Sequence, residues 1–122
     1  KVPFDYVNHG AMKLEELSPL YNRCAAALVM SLTNLSLLPL ELLSCGTIPV
    51  VNDGPNNRLV ADNPNIDYVP LSPGALAAEL IRIVDADDQV EASRRAAASV
   101  ESLSWADSGR RFVADFEEAM HA

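Results

Sequence analysis

The chain has 122 residues, 49% of them hydrophobic, which is enough for one packed domain over residues 1–122. Its formal net charge of −8 leaves few cations to neutralise phosphates, which argues against a nucleic-acid-binding surface and against direct binding to an anionic membrane. No apolar run approaches the roughly 18 residues that a membrane-spanning helix needs.

The opening part of the chain predicts a strand, a helix and a second strand. Residues 4–7 form a short strand that ends at the turn-forming residues 8–10. Residues 14–24 carry apolar side chains at helical spacing. Residues 25–30 are continuously apolar, which is typical of a strand covered on both faces.

The middle part predicts a loop, a helix and a strand. A polar loop over residues 31–36 leads to a short helix over residues 37–45, which Gly46 can end in a left-handed cap. Residues 48–51 form the next strand, and Pro49 places this strand near its start or at an edge of the sheet.

A short helix, a minimal strand and a longer helix follow. Pro55 opens the short helix, which runs to Val60, and residues 68–69 form the strand. The longer helix begins at Pro73. Its apolar face consists of Leu76, Leu80, Ile83 and Val84.

Two further helices complete the chain after a break at the acidic residues 85–88. The first is rich in alanine and covers roughly residues 89–102, and Ser104 caps the second. The apolar stripe of the second helix consists of Trp105, Gly109, Phe112, Val113, Phe116 and Met120. This order of elements predicts an α/β fold, a Rossmann-like parallel sheet with flanking helices.

Ligands of open parallel sheets bind beyond the carboxyl ends of the strands, beside helix N-termini. Three loops take that position in the predicted fold: residues 8–13, 31–38 and 52–57. The middle loop is the most informative, because the helix after it can offer free backbone amides to an anion such as a pyrophosphate.

Five residues around the start of that helix define the candidate site. Ser36 can serve as the N-cap, and Pro39 in the first turn loses no hydrogen bond. The amides of Leu37 and Leu38 would then be free to bind an anion. The carboxylate of Glu41, one turn into the helix, could accept hydrogen bonds from both hydroxyls of a ribose.

Each of these features also has a purely structural interpretation. Any capped helix has free amides, and a glutamate near a helix start is commonly only a favourable partner of the helix dipole. Thr33 and Asn34, like Asn56 and Asn57, are common turn residues. Composition and spacing therefore lead no further than an α/β domain with an edge that can bind anions.

The cysteines and histidines indicate no metal site. Cys24 and Cys45 lie in no metal-binding pattern, so we expect two small buried side chains in a reducing cytoplasm. His9 and His121 likewise have no ligand partner at metal-binding spacing.

Residues 31–51, SLTNLSLLPLELLSCGTIPVV, resemble the donor-site segment of family-4-type GT-B glycosyltransferases, in which Leu-Glu is followed by small residues, Gly and Pro-Val-Val. Residues 10–21, 69–80 and 104–105 resemble other motifs of these enzymes, in the same order. The variant over residues 36–41 is most similar to a branch that includes S-layer and O-antigen rhamnosyltransferases.

The resemblance implies that the chain is the C-terminal part of the nucleotide-sugar-binding domain of such an enzyme. Glu41 would bind the ribose hydroxyls of the donor, and the backbone of Ser36, Leu37 and Leu38 would meet the pyrophosphate. The other implied donor-binding positions are Thr33 and Asn34, together with Gly10, Ala11 and Met12, which would lie against the base.

The same resemblance implies the transfer of a hexose or deoxyhexose, such as rhamnose, from a UDP-, dTDP- or GDP-linked donor to a glycan or lipid-linked acceptor, with retention. It implies no metal and no cofactor. No residue of this chain qualifies as a nucleophile or general base, so we expect donor binding but no catalysis from the chain alone. The phosphate-binding cations would lie earlier in a longer cytoplasmic protein, before the strand matched by residues 4–7, and the acceptor site would belong to a separate N-terminal domain. Any contact with the inner membrane face would come through those parts.

The chain departs from the family at Thr33, where many members have a second glutamate that contacts the transferred sugar. A neutral hydroxyl cannot replace the hydrogen bonds of a carboxylate. Two alternatives to an active transferase therefore stay open: a non-catalytic binding or assembly module derived from a GT-B enzyme, and an unrelated nucleotide-binding α/β module.

The strand order of the family, 3-2-1-4-5-6, would place two central strands before this chain. The strand over residues 4–7 would then be separated from the rest of the sheet. We therefore expect the chain either to form a homodimer through exposed strand edges or to leave residues 4–7 out of the main sheet.

Overall fold

The computed structural model describes residues 2–121, which form a parallel sheet flanked by helices. The strands are β1 (Ala26–Val29), β2 (Ile48–Asn52) and β3 (Asp67–Val69), in the order β1-β2-β3. The helices are α1 (Leu14–Tyr21), α2 (Leu38–Ser44), α3 (Pro55–Val60), α4 (Pro73–Val84), α5 (Gln89–Ala98) and α6 (Trp105–His121). The predicted α/β class and the parallel sheet are thus confirmed.

The central strand is covered on both of its faces. Successive residues of a strand point to opposite faces, and Val50 and Val51 are both 0% exposed. Helix α4 packs against all three strands, whereas α2 and α5 pack against each other and against β2. Because β2 has a neighbour on either side, Pro49 marks a strand start and not a sheet edge, which decides between the two predicted positions.

Gly46 ends α2 in the predicted left-handed cap, with φ at 75°. Its amide donates to Leu43 O at 2.8 Å, and the next amide, of Thr47, donates to Leu42 O at 3.0 Å. This pair of hydrogen bonds satisfies the last carbonyls of the helix and turns the chain into β2. The buried Thr47 hydroxyl donates to Tyr21 O at 2.6 Å, which joins this turn to the end of α1.

The predicted strand over residues 4–7 is wrong. This segment is not part of the sheet, and its side chains Phe4, Tyr6 and Val7 are exposed. A strand needs a neighbour to pair its backbone groups, and within residues 2–121 none lies beside it. The expectation that the segment stays outside the main sheet is confirmed. After it, the Gly10 amide donates to Asn8 Oδ1 at 2.9 Å.

Strand β1 is less covered than its apolar sequence predicts. Val29 is buried, but Leu28 is 47% exposed and Met30 is 53% exposed. The reason is that β1 is an edge strand of the described sheet, so its side chains lack neighbours on the outer side. The expectation of a strand covered on both faces is therefore wrong for the face that carries Leu28 and Met30.

The helices follow the predicted order but differ in length and burial. Helices α1 and α5 end at Tyr21 and Ala98, earlier than the predicted residues 24 and 102. On α4, Leu76 and Ile83 are buried, whereas Val84 is exposed. Helix α6 has its predicted apolar stripe, yet none of its described side chains is buried. Within residues 2–121 no helix has the length and apolar character needed to cross a membrane.

Candidate functional site

Two of the three predicted ligand loops meet at the carboxyl edge of the sheet. Asn52, the last residue of β2, accepts a hydrogen bond at Oδ1 from the Ser31 amide and donates from Nδ2 to Ser31 O, both at 2.8 Å. Asn57 Nδ2 donates to Asn52 O at 2.8 Å and to Ser31 O at 3.2 Å. These hydrogen bonds tie the loop after β1 to the loop after β2.

Further hydrogen bonds shape the loop after β1. Ser31 Oγ donates to Asn34 O at 2.7 Å and accepts from the Thr33 amide at 3.3 Å. The Thr33 hydroxyl donates to Asn34 Oδ1 at 3.3 Å. Thr33 and Asn34 therefore have the structural role of turn residues, and both are exposed at the edge where a ligand would approach.

Of the two amides predicted to be free at the start of α2, only that of Leu37 is unpaired in the described residues, and the cap lies one residue later than predicted. Ser36 Oγ accepts from the Leu38 amide at 3.3 Å, but the backbone of Leu37, not of Ser36, takes the cap position. The amides of Leu40 and Glu41 both donate to Leu37 O at 3.0 Å. The Leu37 amide donates to no acceptor within the described residues, which leaves it available to an anion.

Glu41 lies in the first turn of α2 with its side chain exposed. Its carboxylate accepts no hydrogen bond and forms no ion pair in the part of the chain that the structure describes. Burial raises the pKa of the Tyr21 phenol, and negative charge at Glu41 and Cys45 adds to this effect. The Glu41 carboxylate is thus free to accept hydrogen bonds from a ligand.

The segment predicted to meet the base does not join the other two loops. Gly10 has φ at 61°, Gly10 and Ala11 are exposed, and Met12 is half-buried. Among residues 2–121, no hydrogen bond connects this segment with the loops after β1 and β2. The assignment of residues 10–12 to the site thus rests on sequence resemblance alone.

The cysteines are free and half-buried. Cys24 Sγ donates to Leu20 O at 3.4 Å, and Cys45 Sγ lies 3.7 Å from Ser18 Oγ. Both thiols are more exposed than the sequence predicts. The described residues contain no group of three or more side chains arranged to hold a metal ion.

Sequence reasoning missed the charged and aromatic contacts around α3. Arg58 donates from Nε to Asp53 Oδ1 at 2.6 Å and from Nη2 to Asp53 Oδ2 at 3.0 Å. Its guanidinium also lies 4.6 Å from the ring centre of Tyr68. The hydrogen bonds from Arg58 hold the pKa of Asp53 below its ordinary value. The opposite charges of Asp53 and Arg58, five residues apart in the sequence, were the available signal.

A second concavity lies at the opposite end of the strands. Its volume is about 750 Å³, and its walls include the first residues of β2 and β3 and Ala25, directly before β1. Arg82 bonds there to Asp67 at 2.8 Å and to Glu79. Burial raises the pKa of Asp67, whereas hydrogen bonding from Arg82 lowers that of Glu79. We place the candidate ligand site at the carboxyl edge, because parallel sheets bind ligands there and not at the amino ends.

Comparison with known proteins identifies the family of the chain. No curated protein and no solved structure matches it significantly. The sequence model of the family described as WsaF, C-terminal domain, matches residues 4–81, well over half of the chain. This span contains both joined loops and Glu41, and the family is associated with glycosyltransferases of S-layer glycosylation. The chain therefore belongs to the WsaF C-terminal domain family, and its role is related to that of glycosyltransferases.

Proposed function

We propose that the carboxyl edge of the sheet binds the nucleotide diphosphate of an activated sugar. The domain would serve a glycosyltransferase that moves a hexose or deoxyhexose, such as rhamnose, to a glycan or lipid-linked acceptor. In this proposal Glu41 accepts hydrogen bonds from the ribose hydroxyls, and the backbone at Ser36, Leu37 and Leu38 meets the pyrophosphate.

The observation that carries this proposal is the state of Glu41. Its carboxylate is exposed and has no partner in the described part of the chain, at the start of the helix that follows β1. The unpaired amide of Leu37 at the same helix start suits an anion. Family membership supports the same conclusion, because the matched span includes both residues.

Positioning would be the main contribution of this domain to the reaction. A glycosyl transfer needs the donor held at a fixed orientation, with the charge on the departing diphosphate stabilised. The chain supplies backbone amides and one free carboxylate at the proposed site, and no side chain there has the arrangement of a nucleophile and its base. The acceptor site and the phosphate-binding cations would lie in other parts of a longer protein.

Titration of the chain with UDP, dTDP and GDP, followed by NMR at the amides of Leu37, Leu38 and Gly10, tests the proposal. We expect shifts at these amides and a decrease in affinity of about tenfold or more in Glu41→Ala, because hydrogen bonds to a charged group are among the stronger ones. The preferred base would narrow the class of sugar donor.

Glu91→Ala is the matched control, because Glu91 is also an exposed glutamate in the first turn of a helix. It should bind nucleotide like the unchanged chain. Equal affinity of Glu41→Ala and Glu91→Ala, in folded proteins, would contradict the assignment of Glu41.

Thr33 favours a second candidate, a non-catalytic binding or assembly module. Its hydroxyl is bonded to Asn34 at 3.3 Å, so it offers a ligand less than a carboxylate would. A parent protein that hydrolyses or transfers a nucleotide sugar, and loses this activity in Glu41→Ala, would exclude the second candidate. Nucleotide binding without turnover under the same conditions would support it.

A further inference from the structure

The asparagines Asn52 and Asn57 are buried polar side chains at the junction of the two loops, with only 4% and 2% of their surfaces exposed. Burying an amide is costly unless it is hydrogen-bonded, so the partners of these two groups show what the burial achieves. Three of their four hydrogen bonds go to the backbone of one residue, Ser31. The fourth, from Asn57 to Asn52 O, links the two asparagines.

Asn52 continues the sheet by means of its side chain. The backbone pairing of β1 with β2 reaches Val29 and Val51. Beyond that point the side-chain amide of Asn52 replaces the backbone of a neighbouring strand. It accepts a hydrogen bond from the Ser31 N–H and donates one to the Ser31 C=O, both at 2.8 Å. This two-point pairing sets both the position and the orientation of the first residue of the loop.

Asn57 holds the same residue from helix α3. Its Nδ2 donates to two carbonyl oxygens, which determines which end of the amide carries the nitrogen. Its Oδ1 is buried and accepts no hydrogen bond within the described residues. If position 57 served only to fill space, an apolar side chain would do so without leaving a buried acceptor unpaired. The presence of an amide there is therefore accounted for by its hydrogen bonds to the two carbonyl oxygens.

The bonds continue from Ser31 into the proposed donor site. The Ser31 hydroxyl bonds to the backbone of Thr33 and Asn34, and the chain then runs through Ser36 into the start of α2. We propose that Asn52 and Asn57 are positioning residues that hold the loop over residues 31–38 in its donor-binding geometry. This inference rests on the proposed function. It means that residues 52–57 determine the conformation of the donor-binding loop after β1.

The test compares Asn57→Asp with Asn56→Asp, the same change at the exposed neighbouring position on α3. A carboxylate at position 57 would face two carbonyl oxygens and donate to neither. We expect the hydrogen-bonded amides of Ser31, Thr33 and Leu38 to exchange hydrogen about tenfold faster at pH 7, while those of Val50 and Val51 stay protected. Nucleotide affinity should fall by a similar factor, and Asn56→Asp should change neither quantity.

Lowering the pH should restore the Asn57→Asp variant. A buried carboxyl beside two carbonyl oxygens has a raised pKa, and once protonated its O–H can donate to one of them. Loop protection and nucleotide affinity should therefore recover between about pH 7 and pH 5. A buried carboxyl recovers on protonation whatever its role, so Asn57→Leu, which fills a similar space without a donor, separates the two roles. Core filling predicts that Asn57→Leu keeps the loop protection and the nucleotide affinity, whereas positioning predicts that it loses both. If Asn57→Asp does not fold, Asn52→Ala replaces it, and we then expect loss of protection at the Ser31 amide with the core retained.

The two proposals can fail separately. A folded, unchanged chain that binds none of the three nucleotides overturns the proposed function and, with it, the role of the asparagines in donor binding. An unchanged chain that binds nucleotide, with an Asn57→Asp variant that binds it equally well at pH 7, overturns the positioning role alone.

Discussion

Gly46 is the residue whose identity is most constrained by backbone geometry. Its φ of 75° lies in the left-handed region, and an added Cβ would lie 2.2 Å from Ser93 Oγ and 3.2 Å from Ser93 O. The hydroxyl can rotate away, but the carbonyl belongs to the backbone of α5. We therefore expect Gly46→Ala to lower the free energy of unfolding by about 1–3 kcal/mol, measured by urea denaturation.

Gly74→Ala is the control for this substitution. Gly74 lies in the first turn of α4, and nothing lies within 4 Å of a Cβ added there. Alanine has the higher helix propensity, so this variant should be as stable as the unchanged chain or slightly more stable. Equal stability of the two variants would show that the left-handed cap contributes little.

Asp53 provides a prediction about pH. Hydrogen bonds from Arg58 hold its pKa below the ordinary value in the folded chain. Asp53 therefore contributes stability above its unfolded pKa, and this contribution is lost as the pH falls through its folded pKa. In an NMR titration of side-chain carboxyl carbons, the pKa of Asp53 should lie below the ordinary value and should rise in Arg58→Gln.

Lys13→Gln removes the same charge at a position before α1, away from α3. It should leave the Asp53 titration unchanged, because the effect depends on direct hydrogen bonds at 2.6 and 3.0 Å. An equal rise of the Asp53 pKa in both variants would mean that overall charge, not the pair with Arg58, sets its value.

Among the elements, α6 shows most clearly what an amphipathic pattern can and cannot predict. Its stripe has helical spacing, and Phe112 and Phe116 stack with ring centres 6.4 Å apart. Ser104 accepts from the Asp107 amide at 3.1 Å, as expected of the predicted cap. The pattern predicts the helix and its apolar side, but it does not indicate which surface that side packs against.

Truncation of the chain after Leu103 tests whether α6 contributes to the stability of the domain. Because no described side chain of α6 is buried, we expect the free energy of unfolding to change by less than about 0.5 kcal/mol. Ala96→Asp in α5 is the positive control, since Ala96 is 0% exposed and a buried charge there should destabilise the fold strongly. A truncation as damaging as this control would mean that the stripe packs against the domain in solution.

At the scale of the whole molecule, the outer edge of β1 is open. Within residues 2–121 no strand pairs with it, and a groove of about 480 Å³ runs beside it. The groove is lined mainly by apolar side chains: Leu28, Met30, Leu71, Pro73, Leu76, Ala77 and Leu80. Pairing with a second copy of the chain at this edge stays a prediction.

The sequence predicted the order and type of most elements, because each has a strong local signal. Pro55 and Pro73 open their helices at the predicted residues, and Gly46 ends α2 as expected. Donor-site positions around Glu41 were also predicted from the sequence, through a resemblance that family membership supports at the level of glycosyltransferases. The binding of a donor by these residues stays a prediction.

Other features depended on neighbours that no local pattern specifies. The apolar alternation of residues 4–7 resembles that of a strand, but a strand forms only where a partner strand is present. Asparagine is a common turn residue, so the sequence gives Asn52 and Asn57 no other role. Only the fold brings their side chains against the backbone of Ser31. The sequence by itself thus determined the helices, the turns and the parallel α/β class, since these follow from dihedral preferences and periodicity. The tertiary structure alone decided which loops meet and which apolar faces stay open, because both depend on contacts between residues far apart in the chain.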